Sequence, residues 1–128
     1  MGKGATTQDE DRRARGERMF REVYGDVVPL PPPGQRDDFL ALMLDQLFAE
    51  VWTRGALQVR DRRLLIMGII AALGDGELFA LQARAALANG ELSQAQLEEI
   101  VIMLAQYVGY PRASRLRSAV APVLKDGG

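Results

Sequence analysis

Glu50 and Arg54 stand four residues apart on either side of Trp52, in the stretch EVWTRGALQ. A guanidinium fork matches a carboxylate in shape and charge, so Arg54 is a candidate anchor for an anionic substrate. A loop salt bridge or a subunit contact would use it equally well. Glu50 lies on the flank of an apolar stripe. Partial burial there would raise its pKa and make it a proton donor; otherwise it is an ordinary helix carboxylate paired with a basic residue. Trp52 fits a pocket wall or the core. A second stretch, LQARAALANG (81–90), places Gln82 on one helix face with Leu78, Ala86 and Asn89. Its amide can orient a bound carbonyl or carboxylate, or serve as a core amide satisfied by a neighbouring backbone, but it cannot hand over a proton near neutral pH. Gln106 and Tyr107 offer a further amide and ring to a pocket, or lie at a subunit, solvent or core boundary. Arg60, Arg62 and Arg63 crowd a helix start, where the dipole disfavours cations. Such a cluster either takes an anionic partner or is neutralised by Asp61 and neighbouring acids.

The composition narrows the chemistry further. The chain has 128 residues, no cysteine and no histidine. Disulfides, thiolate metal sites and thiol redox chemistry are excluded, and the side chain best suited to proton transfer at neutral pH is missing. Catalysis must run on carboxylates, Arg, Lys, Tyr, amides or an outside cofactor. The net charge of −1 argues against a nucleic-acid partner. The N-terminal MGKGATTQDEDRR lacks the apolar core of a signal peptide. The longest apolar run, Leu64–Leu73, falls well short of the roughly 20 residues a membrane span needs. The reading is a soluble, cytoplasmic protein without membrane contact.

The elements that must position these residues are all helical. Residues 1–7 read as a flexible tail and 8–24 as a polar helix with an apolar edge of Met19, Phe20 and Val23. DVVPLPPPG (26–34) is a stiff connector, which either packs along its own domain or docks in an aromatic-lined groove. In 36–53, Phe39, Met43, Leu44, Leu47, Phe48 and Val51 recur at helical spacing. The helix at 60–73 becomes apolar on every side, which in a domain of this size points to subunit contacts. Residues 77–89 are rich in alanine and end at Gly90. Ser93 and Gln96 form a capping box for a helix over 94–108 that turns Leu97, Ile100, Val101, Leu104 and Val108 inward. After Gly109, Pro111 opens a last helix to about Leu124, followed by a short tail over 125–128. The expected fold is all-α: one domain over 8–124, a compact bundle of about six helices that assembles into an oligomer.

The ordered set of Trp52, Arg54 and Leu57; Arg60 and Arg62; the AALG turn; the RAAL-x-NG helix end; and Tyr107, Gly109 and Pro111 resembles the carboxymuconolactone decarboxylase family, as does RRARGERMFREVYG (12–25). The resemblance covers residues 12–124. It implies an alkylhydroperoxidase D-like all-helical fold, usually trimeric or hexameric. It also implies a cofactor-free lyase that removes CO2 from 4-carboxymuconolactone in bacterial protocatechuate breakdown. A related thiol-redox branch uses a Cys-x-x-Cys pair and a histidine, and this chain has neither. The family histidine falls at Gln82, and a position often acidic in the redox branch carries Arg63. Glu50 matches a family acidic position. By resemblance, Glu50 and Gln82 are the catalytic candidates, and Trp52, Arg54, Gln106 and Tyr107 the substrate-binding ones. No cofactor or metal is implied, and the partners are a small anionic substrate and further copies of the chain, as a homotrimer or homohexamer. A family member that binds a small ligand or partner protein without catalysis is the alternative.

Overall fold

A computed structural model describes residues 7–127; the expected N-terminal tail, Thr7 apart, lies outside them. Six helices, a single 3-10 turn at Pro33–Gln35 and no strand occur among the described residues, in agreement with the all-α expectation. The chain divides into two compact units, the first ending at Leu57 and the second beginning at Gln58.

In the first unit, α1 (Thr7–Tyr24) pairs with a second helical segment. That segment, α2, opens as a short α-helix at Asp38–Leu42 and continues as a π-helix over Met43–Val51. Asp37 caps its start by accepting a hydrogen bond from the Leu40 N–H at 3.0 Å. The wider turn is seen where the Trp52 N–H reaches the Leu47 carbonyl five residues back, at 2.9 Å. The apolar residues of this segment fall in two rows. Leu44, Phe48 and Trp52 are buried, whereas Phe39, Leu47 and Val51, read from sequence as part of the same inward face, are exposed. One facing helix covers only part of so broad an apolar surface. Phe20 meets Phe48 edge-on at 5.1 Å, and Phe48 stacks on Trp52 at 5.9 Å.

The proline connector is tied back to its own unit. The buried Arg36 side chain donates to the Pro31 carbonyl at 2.8 Å and pairs with Glu17 of α1 at 2.7 Å. Gly16 sets how closely α1 approaches α2: a Cβ there would fall 2.1 Å from the Leu44 carbonyl oxygen.

The second unit packs α3 (Val59–Leu73), α4 (Gly76–Ala88), α5 (Gln94–Val108) and α6 (Tyr110–Gly127). The last helix continues past Leu124 through the expected tail to Gly127. Each of the first three starts is capped locally. The Gln58 N–H donates to Asp61, the Leu78 N–H to Asp75, and Ser93 and Gln96 close the expected capping box at 3.1 and 2.9 Å. Alanines 80, 83, 85 and 86 of α4 are buried, and the core joins Met67, Phe79, Leu97, Leu116 and Val120. The small residues bring α4 close to α6: a Cβ at Gly76 would meet Ala119 Cβ at 3.1 Å.

Gly16→Ala is expected to destabilise the first unit by about 1–3 kcal/mol, the usual cost of overpacking, because the clashing atom is backbone. Trp52, the only tryptophan, reports on this unit by fluorescence during thermal unfolding. Gly34→Ala, where no atom lies within 4 Å of the new methyl, is the control and should leave the midpoint unchanged.

Candidate functional site

The sequence candidates fall in both units. In the first, Glu50 is half exposed and lies between two arginines of α1, with Arg15 Nη2 at 3.0 Å and Arg12 Nε at 3.3 Å. It is a paired helix carboxylate, with partners supplied by α1. Arg15 is itself anchored by donating to the Ala49 carbonyl at 2.9 Å. Trp52 belongs to the aromatic core. Arg54 is exposed in the turn after α2, and its N–H donates to the Val51 carbonyl at 3.2 Å.

A second ion pair fixes the same two helices one turn away. Arg13 forks onto both oxygens of Asp45, with Nη2 and Oδ2 2.8 Å apart. The hydrogen bond from Arg13, the largest effect, holds the Asp45 carboxyl below the usual carboxylate range; burial opposes it, and the charges of Arg13, Arg12 and Arg36 add to the lowering. The same bond raises the Arg13 guanidinium.

In the second unit the central residue is one the sequence pointed to only as part of a cluster. Arg63 has no solvent exposure. It occupies the same row of α3 as Met67 and Ala71, at spacings of four, and both of those are fully buried. Its Nε and Nη2 grip Glu91 at 2.9 and 3.0 Å, and its Nη1 donates to Gln82 Oε1 at 2.6 Å. Gln82 is 5% exposed. It is thus a core amide, as one sequence reading had it, and its oxygen accepts from a buried cation. Asn89 donates to Glu91 Oε2 at 3.0 Å, and Arg60 Nε donates to the Glu91 carbonyl at 3.0 Å. Within the arginine cluster, Arg63 is the member shown paired with an acid. That acid is Glu91, while Asp61 closes the cap of α3. Glu91 escaped the sequence reading because it lies in a turn 28 residues from its partner. The signal available was Arg63 itself, a charge on the row that continues as Met67 and Ala71.

Gln106 and Tyr107 are exposed on α5, where Gln106 Nε2 donates to Tyr110 Oη at 2.9 Å. The cavity of ≈ 480 Å³ lined by Val101, Ile102, Val120 and Leu124, with Glu98 and Arg117 also in its wall, includes neither Gln82 nor Arg63. Among the described residues, no group of three His, Cys, Asp or Glu side chains gathers to hold a metal ion. No helix of the described residues is long and apolar enough to cross a membrane.

An all-helical fold built on the AALG turn, the alanine-rich α4 and the Tyr-x-Gly-x-Pro hinge defines a class that the comparisons name. Residues 37–122 match the model of the Carboxymuconolactone decarboxylase family, and the chain belongs to that family. Among its relatives, a 4-carboxymuconolactone decarboxylase of Acinetobacter baylyi is 27% identical over 124 residues, covering 94% of this chain and 92% of the relative.

The Asp45–Arg13 pair carries a pH signature. A carboxyl whose folded pKa is depressed contributes stability that is fully present above its unfolded value, about 3.9, and is lost as pH falls through the lower folded value. Asp45→Asn should therefore lower the unfolding midpoint at neutral pH, with the gap to the native chain closing as pH drops below about 4. Trp52 fluorescence melts over a pH series measure this, and a gap independent of pH would remove the pair as its cause.

Proposed function

We propose that the chain is a cofactor-free enzyme acting on a small anionic lactone or cyclic acid, by decarboxylation of the 4-carboxymuconolactone type. The observation that carries this reading is the similarity to a relative named for that reaction over nearly the full length of both chains. The reaction needs an anion anchor, stabilisation of the charge left when CO2 departs, and a proton for the carbon. Gln82 supplies no proton and is engaged by Arg63. The carboxyl assigned to proton delivery is Glu50. Arg12 and Arg15 beside it, with Arg54, are the guanidinium groups suited to the substrate carboxylate. Glu50, half exposed, would take a proton from solvent and pass it to the carbon as the C–CO2 bond breaks, that bond's electron pair becoming the new C–H bond, while one guanidinium exchanges from Glu50 to the incoming carboxylate. Trp52, Gln106 and Tyr107 are assigned no chemical step.

A second reading, a family member that binds a small ligand or partner protein without catalysis, is favoured by the sealing of Gln82 against Arg63. CO2 release from 4-carboxymuconolactone separates the two. The enzyme reading expects turnover by the native chain and a loss of about 100-fold or more in Glu50→Gln, with the helical circular dichroism unchanged. Full activity in Glu50→Gln removes Glu50 from the mechanism. Saturable binding of the lactone in calorimetry without CO2 selects the second reading.

The reading includes assembly into a homotrimer or homohexamer. Leu65, Ile69 and Leu73 form a row at spacings of four along α3 and are 60%, 61% and 75% exposed. A row of that size is the surface a second copy would cover. Sedimentation at micromolar concentration should give three or six times the 14.1 kDa chain mass, and Leu65→Glu/Ile69→Glu should reduce it. A native monomer would refute the assembly.

A further inference from the structure

We propose that Arg63 dictates what position 82 can be: the guanidinium requires a hydrogen-bond acceptor there and bars any side chain at 82 from holding a proton on the facing atom. A guanidinium only donates. The Nη1–Oε1 distance of 2.6 Å marks a charge-assisted bond, stronger than one between neutral groups. The rest of the fork is committed elsewhere, since Nε and Nη2 both grip Glu91. Glu91 is in turn fixed by Asn89 and, through its carbonyl, by Arg60. Arg63 has no exposed surface, so water does not screen its charge from position 82.

Among the described residues, Arg63 from α3 bears directly on position 82 and, across its guanidinium, so does Glu91 from the turn after α4. The charged side chains borne by α4, α5 and α6, such as Arg84, Glu98 and Arg115, are exposed. The carboxylate thus lies on the far edge of the fork and the donor on the near edge. Glutamine answers this arrangement, because its oxygen accepts at any pH. An imidazole answers it only when neutral, because the protonated ring has donors on both nitrogens and no acceptor. This deepens the proposed enzyme reading by removing position 82 from proton transfer, but its test reads a titration and not turnover, so either can fail alone.

The chain has no histidine, so Gln82→His gives a single imidazole signal in proton NMR. Burial alone depresses a histidine, so the comparison is with the same substitution in an Arg63→Gln/Glu91→Gln background, where both charges are gone. The imidazole should titrate well below its ordinary value of about 6.5 beside Arg63, and at least about one pH unit higher in the neutral background. Equal values in the two backgrounds, or an ordinary value beside Arg63, would overturn the proposal. Where the histidine variant does not fold, Gln82→Met serves in both backgrounds as a double-mutant cycle. It should lower the melting midpoint by several degrees beside Arg63 and leave it nearly unchanged in the neutral background. An equal drop in both would overturn the proposal as well.

Discussion

Arg63 places a full positive charge where its side chain touches no water, and the second unit is arranged around that fact. An unpaired ion in such a place would cost several kcal/mol even after relaxation. The chain answers with a carboxylate gripped by two nitrogens and an amide oxygen on the third. These partners come from α4 and from the turn beyond it, so the ion pair fixes the register of α3 against α4 and holds the turn at Glu91. Arg60 and Asn89 complete the grip on Glu91. The alanine-rich α4 then packs closely on its neighbours, because no large side chain holds it away.

The first unit solves a different problem with a similar economy of parts. Two helices alone offer little interior, and here it is filled by four rings, Phe20, Tyr24, Phe48 and Trp52. Close approach at Gly16 and the change from α to π winding at Met43 accompany that packing. Arginine–carboxylate pairs on the α1 side, Arg13 with Asp45 and Arg12 and Arg15 with Glu50, tie the helices along their flank. The apolar row left over, including Phe39, Leu47 and Val51, stays partly exposed among the described residues.

Family membership fixes the scaffold of this chain and not, by itself, its site chemistry. The fold residues that mark the family, glycine turns, caps and small residues on α4, are in place. The amide at position 82 is bound into a structural network and has no proton to give. A shared fold carries a scaffold from one relative to another; chemistry depends on the particular side chains at the site. In this chain position 82 belongs to a network in which Arg63 is held by Glu91 and Gln82.

The helices, their caps and the family were legible in the sequence because they rest on local patterns. Ser93 and Gln96 lie three residues apart, and Leu97 and Val101 share a face by helical geometry alone. The need for an acceptor near Arg63 was also implicit, since a charge on the row that continues as Met67 and Ala71 must be paired. Tertiary structure decided which groups those acceptors would be. Glu91 and Gln82 lie 28 and 19 residues from Arg63, and no short-range rule links positions so far apart. It likewise decided that Glu50 would be a half-exposed partner of α1, and that Leu44 and Phe48 would be buried while Leu47 and Val51 stayed exposed. Periodicity tells which residues share a helix face, but only the packing of one helix on another determines which part of a broad apolar face is covered.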